Sequence, residues 1–172
     1  MSRFLVRSPA LWIVFAAMLG LLLGGFLPRA PLHAVATDHI DNFAIATGPL
    51  SDDLEGLFFL DFLTGSLKCA VLSRSTGKFM SAFETSVLDD IGVKATSNPK
   101  FMLVTGIADL RRTGGQMQPG NAVVYVAETT TGRVAAYAVP WTSGLATSVI
   151  PYKGRLMLLD VLQFRTAAVR GQ

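Results

Sequence analysis

The 172 residues contain one cysteine, Cys69, and two histidines, His33 and His39. A lone cysteine excludes an intramolecular disulfide framework and a cysteine-based zinc cluster. Both histidines precede the expected folded core, so a Ser-His-Asp arrangement has no base to recruit, and no G-x-S-x-G elbow occurs. Neither G-x-x-x-x-G-K-[ST] nor G-x-G-x-x-G is present, so the glycine-containing loops are not phosphate cradles. Charge is scarce as well, at 16% of residues against about 25% in a typical soluble domain. Arg3, Arg7 and Arg29 are the only charged side chains before Asp38. Without them twelve basic and twelve acidic residues remain. The basic balance (pI about 9.3) therefore belongs to the N-terminus, and nucleic acid is not an expected partner.

What the chain has in excess is apolar surface: 51% of residues are hydrophobic and the mean hydropathy is +0.45. Residues 10–27, ALWIVFAAMLGLLLGGFL, carry no charge and no proline. As a helix they rise roughly 27 Å, close to the hydrocarbon thickness of a bilayer. With Arg3 and Arg7 ahead, this predicts a cytoplasmic N-terminus (residues 1–9), a transmembrane helix (10–27), a linker (28–41) and an exported domain (42–172). A second reading stays open: Ala34-Val35-Ala36 is an A-x-A tripeptide, as at the end of a cleaved signal peptide. Either way the remainder is exported, which places the chain at a cytoplasmic membrane with its C-terminal domain outside. Ala16, Gly20 and Gly24 recur every fourth residue and are candidates for self-association of the anchor.

Beyond the linker, short apolar runs alternate with Thr-Gly turns. Leu57–Phe62, Leu67–Leu72 and Phe79–Phe83 read as a three-stranded meander turning at Thr64-Gly65 and Thr76-Gly77. Ser86 to Gly92 reads as a two-turn helix capped by Ser86, with Asp89 at its third position and Gly92 ending it. A strand over Phe101–Thr105 follows Asn98-Pro99. Thr113–Asn121 is a polar, glycine-rich loop, and Val123–Glu128 with Val134–Val139 forms a second hairpin around Thr131-Gly132. Thr147–Ile150, a Pro151–Gly154 turn, Arg155–Leu162 and Thr166–Val169 complete the pattern. The predicted fold is mainly β, meander and hairpins, with one short helix and the N-terminal transmembrane helix.

Laid on their turns, the hairpins repeat. Leu57–Asp61 matches Val124–Glu128, and Leu156–Asp160 is a third partial copy whose Thr-Gly is replaced by Gln163-Phe164. The acids Asp61, Glu128 and Asp160 are expected to accept hydrogen bonds from turn amides, with Thr64, Gly65, Thr131 and Gly132 forming the turns. The segments LFFLDFLTGSLKCAV (57–71) and VYVAETTTGRVAAYAV (124–139) resemble the hairpins of β-propeller blades, above all quinoprotein-like ones with apolar-Asp-x-x-Thr-Gly. They depart from that pattern in lacking the tryptophan often found after the glycine, where Cys69 and Ala136 stand. About 135 exported residues also cannot form the four to eight blades of a closed propeller. The chain also resembles a bacterial membrane-anchored protein family that shares the FLDFLTG and NPKFMLVTG wording, a likeness that implies no activity.

No catalytic constellation emerges. Asp38-His39-x-Asp41 could offer metal ligands but lies in the expected linker, where nothing fixes their geometry. Cys69 has apolar neighbours and no histidine nearby, which points to a buried structural thiol. Asp52-Asp53 and Asp89-Asp90 read as a solvated turn and a helix start. Arg111 and Arg112, beside the polar loop, are the candidate docking point for an acidic partner or lipid head group. The expectation is a single-pass envelope protein without cofactor or metal. It is read as a non-catalytic interaction or assembly subunit, a homo-oligomer or part of a larger envelope complex. The alternative is a periplasmic small-ligand-binding or enzyme-accessory module.

Overall fold

The computed structural model describes residues 12–15, 18, 37–94, 96, 98–110 and 117–165. Two compact units divide the chain, Met1–His33 and Ala34–Gln172. In the first, Trp12–Phe15 and Met18 are helical. Among the described residues no helix is long and apolar enough to cross a membrane. Most of the expected span 10–27, including Ala16, Gly20 and Gly24, lies outside the described residues, as do Ala34–Ala36.

The second unit is mainly β. Its strands are β1 (Thr37–Ile40), β2 (Phe43–Ser51), β3 (Leu54–Asp61), β4 (Ser66–Leu72), β5 (Phe79–Ser86), β6 (Phe101–Ile107), β7 (Gln118–Glu128), β8 (Arg133–Trp141), β9 (Tyr152–Arg155) and β10 (Met157–Gln163). They make a six-stranded sheet ordered β1-β2-β3-β4-β5-β9 and a four-stranded sheet ordered β10-β8-β7-β6. Neighbours are antiparallel except β5 and β9, which run parallel. The period-two alternation is plainest in β4, where Leu67, Cys69 and Val71 are buried while Lys68 and Leu72 are exposed. Phe58, Leu60, Leu67, Cys69 and Phe83 of one sheet share a core with Leu103, Val124, Val126, Tyr137 and Val139 of the other. The sheets approach closely at Gly48, where a Cβ would come within 3.0 Å of Ala122 Cβ and 3.3 Å of the Phe58 ring. Beside it, the Thr105 hydroxyl donates to the Thr47 carbonyl at 2.7 Å and ties the two sheets together.

The helix Val87–Ile91 forms as its sequence dictates. Ser86 Oγ accepts the Asp89 amide at 3.4 Å, and Gly92 ends the helix in the left-handed region at φ 69°. Several elements differ from the sequence expectation. A second short helix, Ser143–Ala146, follows β8; four residues carry too little periodicity to announce themselves. The last residues of the expected linker form β1, which folds back on β2 across Asp41-Asn42, residues suited to a tight hairpin turn. Gln118–Gly120, expected as loop, open β7. Pro119 stands opposite Pro140 at a bulge, where a ladder tolerates residues without an N–H. Thr147–Ile150 is not a strand, because Ser148 Oγ accepts the Ile150 amide at 3.2 Å and closes a local turn instead. Tyr152–Gly154, expected within a turn, join Arg155 in β9, laid along β5. Thr166–Val169 lie outside the described residues.

The registers reveal a repeat broader than the hairpin motif. Phe43 pairs with Asp61 and Thr47 with Leu57; Phe101 pairs with Glu128 and Thr105 with Val124. FAIATG (43–48) is thus the counterpart of FMLVTG (101–106), and β2-β3-β4-β5 that of β6-β7-β8-β10. The counterparts face oppositely with respect to the core. Phe58 is fully buried and its counterpart Tyr125 is 41% exposed. Leu57 is exposed where Val124 is buried, and Asp61 is half-buried where Glu128 is buried.

Candidate functional site

The repeated turn is built the same way three times. Asp61 Oδ1 accepts the amides of Leu63 (2.8 Å) and Thr64 (3.4 Å). The Gly65 amide returns to the Asp61 carbonyl at 2.8 Å, and Gly65 takes φ 65°. Glu128 Oε1 accepts the Thr130 amide at 2.9 Å, while its Oε2 accepts the Thr131 amide (2.7 Å) and hydroxyl (2.6 Å). Gly132 closes that turn on the Glu128 carbonyl at 2.9 Å, with φ 72°. The third turn is not at Asp160. It is Ser73–Lys78, where Ser73 Oγ replaces the carboxylate, accepting the Ser75 amide at 3.3 Å, and Gly77 takes φ 64°. Asp160 lies inside β10, opposite Ala136 beside a register shift, and its carboxylate accepts the adjacent Val161 amide, at 2.8 Å.

These bonds set the ionisation of the acids. At Glu128 desolvation pushes the carboxyl pKa up, but the Thr131 hydroxyl and the amides of Thr131 and Thr130 outweigh it, and the net shift is downward. At Asp61 the same opposition, with Lys68 helping, also ends below the ordinary value. Both acids are engaged by the donors of their own turns. A different polar group bridges β5, β9 and the Val87–Ile91 helix. Thr85 Oγ1 donates to Asp90 Oδ2 at 3.1 Å, Arg155 Nε donates to Thr85 Oγ1 at 3.4 Å, and Arg155 Nη2 lies 3.6 Å from Asp90 Oδ1. Tyr137, fully buried, holds its hydroxyl there with no well-aligned hydrogen-bond partner among the described residues. Burial, then the neighbouring Asp90 carboxylate, raises its pKa far above the usual tyrosine value.

Cys69 is buried, and burial raises its thiol pKa, so the thiolate is not available as a nucleophile. Among the described residues no group of three His, Cys, Asp or Glu side chains could hold a metal ion. In β1 the Asp38 carboxylate instead accepts the His39 amide, at 2.8 Å. Arg111 and Arg112 lie outside the described residues.

Two surfaces remain. The first is an open pocket of about 550 Å³ where the β2–β3 and β4–β5 turns meet the start of β7 and the end of β8. Trp141 and Leu50 contribute apolar wall, while Gln118, Asn121, Asp53 and Arg74 contribute polar groups. Arg74 Nη1 stands 3.6 Å from Asp53 Oδ2 across the mouth. The sequence dispersed these residues over nearly a hundred positions, from Leu50 to Ala146, and only Asp52-Asp53 and the polar loop ending at Asn121 drew notice.

The second surface is the outward face of the four-stranded sheet. Met102 (59%) and Val104 (51%) of β6 stand exposed beside Tyr125 of β7 and Leu162 of β10. Ala127, Val134 and Ala136 fill the space between them, half-buried. Asp160 is the one charged side chain among the strand residues of that face. The six-stranded sheet also turns apolar residues outward on β2 and β3: Ile45 and Leu57 are exposed, and Phe43 stacks on Phe59 with ring centroids 5.0 Å apart. β4 and β5 differ, carrying the Lys68–Glu84 ion pair at 3.5 Å. The F-x-x-x-T-G repeat at 43–48 and 101–106 was the sequence signal that could have located both faces. No protein-family model, curated protein or solved structure matches this chain.

Proposed function

We propose that this chain is a single-pass, membrane-anchored envelope protein whose exported β domain is a non-catalytic assembly subunit. The uncharged segment 10–27, preceded by Arg3 and Arg7, supports the anchor and the bacterial cytoplasmic membrane as its place. The outward face of the four-stranded sheet carries the assembly reading. Met102, Val104, Tyr125 and Leu162 form a contiguous apolar surface on regular strands, the kind of surface that marks an interaction site. In this reading the two sheets are partial propeller blades, and their uncovered faces are where further protein docks. Crosslinking in the native membrane, followed by affinity capture of the full chain and mass spectrometry, tests it. Self-crosslinks or a stoichiometric partner bridged through β6 or β7 are expected; a chain that crosslinks to nothing overturns the reading. A peptide beginning at Thr37 would replace the anchor by a cleaved signal.

The pocket favours a second reading, a module that binds a small polar ligand. Amides, a carboxylate and a guanidinium converging beside an indole suit a neutral, hydroxyl-rich molecule. A thermal-shift screen of such ligands tests this, with Asn121→Ala as the control that abolishes any stabilisation.

A further inference from the structure

We infer that the assembly is formed by copies of this chain packed head to tail, the outward face of one copy's four-stranded sheet lying on the outward face of the next copy's six-stranded sheet. This rests on the assembly reading above and names its partner. The argument starts from the inverted exposure of counterpart residues. Within one chain the six-stranded sheet uses the face bearing Ala44, Ala46, Phe58 and Leu60, and the four-stranded sheet answers with Leu103, Val124 and Val126. By the registers, Ala44, Ala46, Phe58 and Leu60 correspond to Met102, Val104, Tyr125 and Ala127, which face outward. Likewise Leu103, Val124 and Val126 correspond to Ile45, Leu57 and Phe59, which also face outward. The contact inside the chain is therefore front to back, and each uncovered face is the counterpart of a face that is covered. Two copies placed as the two sheets already are bring together Met102, Val104 and Tyr125 with Ile45, Leu57 and Phe59.

Two details support that placement. Gly48 lets the sheets approach within one chain; its counterpart Gly106 lies toward one end of the outward face, half-buried beside the buried Val123, and a Cβ there would meet Tyr125 Cε2 at 3.5 Å. Thr105 donates its hydroxyl to the Thr47 carbonyl across the internal interface. Its counterpart Thr47 is half-buried and turns outward, positioned to donate to the Thr105 carbonyl of the next copy. A front-to-back contact is heterologous, so it closes into a ring or continues as a filament. With two sheets per chain and about four to eight in a closed propeller, a ring holds about two to four copies.

The test uses the full chain in detergent, where native Cys69 is buried. Inside the chain, a Cβ at Gly48 would stand 3.5 Å from Thr105 Cβ, within the range a disulfide spans. The corresponding pair between copies is Gly106 and Thr47. Gly106→Cys and Thr47→Cys proteins, each alone, should give no disulfide dimer under mild oxidation, whereas their mixture should give one. The unmodified chain should run at a multiple of 18.4 kDa after correction for detergent. Val104→Lys, at a position 51% exposed and so harmless to the fold, should return it to the monomer mass with an unchanged circular dichroism spectrum. Disulfide dimers from Gly106→Cys alone would mean a face paired with itself, and would overturn the head-to-tail arrangement. A multimer that gives no mixed disulfide and ignores Val104→Lys would overturn it too, while leaving the assembly reading standing. A monomer that retains a stoichiometric partner in the membrane has the same meaning, and a monomer without one overturns both.

Discussion

Glu128 and Asp61 occupy the same position of the same turn, one buried and the other half-buried. Replacing each by alanine should therefore separate the energy of the turn from the energy of burial. At Glu128 three donors lie at 2.6–2.9 Å and the residue is only 1% exposed. Hydrogen bonds to a charged group contribute about 1.5–3 kcal/mol each, and a buried amide left without an acceptor costs about 1–3 kcal/mol. The turn can relax toward water, so the losses do not add, and a total near 3–4 kcal/mol is expected for Glu128→Ala. At Asp61 the bonds are one good amide at 2.8 Å and one long one at 3.4 Å, in reach of solvent. That loss resembles removal of a helix cap, about 1 kcal/mol. Urea unfolding at pH 7, followed by far-ultraviolet circular dichroism, reads both. Equal losses at the two sites, or a larger one at Asp61, would refute the claim that burial strengthens the hold of Glu128 on its turn.

The pH dependence supplies an independent check with a definite sign. The Glu128 carboxyl has a lower pKa folded than its ordinary 4.5. Its contribution is therefore fully present above that value and is lost as pH falls below it, through the folded pKa. The stability gap between the unmodified chain and Glu128→Gln should be constant from pH 7 to about 5.5 and shrink on further acidification. A gap that grows as pH falls would show that the carboxylate is destabilised by burial rather than held by its donors.

Three further outcomes follow from the same geometry. Gly65→Ala and Gly77→Ala both place a Cβ at positive φ. At Gly77 nothing lies within 4 Å, whereas at Gly65 the Leu88 side chain blocks the space. Urea melts should show about 1 kcal/mol lost at Gly77 and about 2–4 kcal/mol at Gly65. Tyr137→Phe removes a buried hydroxyl that has no well-aligned partner among the described residues and should leave stability unchanged or raise it by up to about 1 kcal/mol; a loss above 2 kcal/mol would mean the hydroxyl is bonded. Cys69 should resist iodoacetamide at pH 8 in the folded protein and react in urea, since burial keeps its thiol protonated and covered; labelling at the same rate in both would contradict the core placement.

The local chemistry was legible in the sequence because it depends on residues a few positions apart. Ser86, Asp89 and Gly92 specify a capped helix, and Asp61 with Thr64-Gly65 specifies a turn whatever surrounds it. What was not legible depends on distant partners. β9 is a four-residue strand whose partner β5 begins at Phe79, some seventy positions earlier, and no local period encodes a parallel pairing of that span. Asp160 shows the converse error. Leu156–Asp160 has the letters of the motif, but without the Thr-Gly turn the acid sits inside a strand that bulges. The pocket shares this difficulty, since its wall comes from four separate turns and strand ends.

The apolar runs of the inner strands bear on the question of covering. A strand with one face in water alternates, and β5 does so: Ser81, Phe83 and Thr85 are buried and Ala82 and Glu84 exposed. Leu57-Phe58-Phe59-Leu60 and Val124-Tyr125-Val126-Ala127 do not alternate in character, although they alternate in exposure. A continuous apolar run is the pattern of a strand covered on both faces. A single chain covers one face of each, and the uncovered one is apolar on β2, β3, β6 and β7 but charged on β4 and β5, where Lys68 and Glu84 stand. Within the chain it is β2 that packs on β6 and β7. The sequence thus asks for a second covering layer over β2, β3, β6 and β7 and water over β4 and β5, which is the demand that a head-to-tail copy meets.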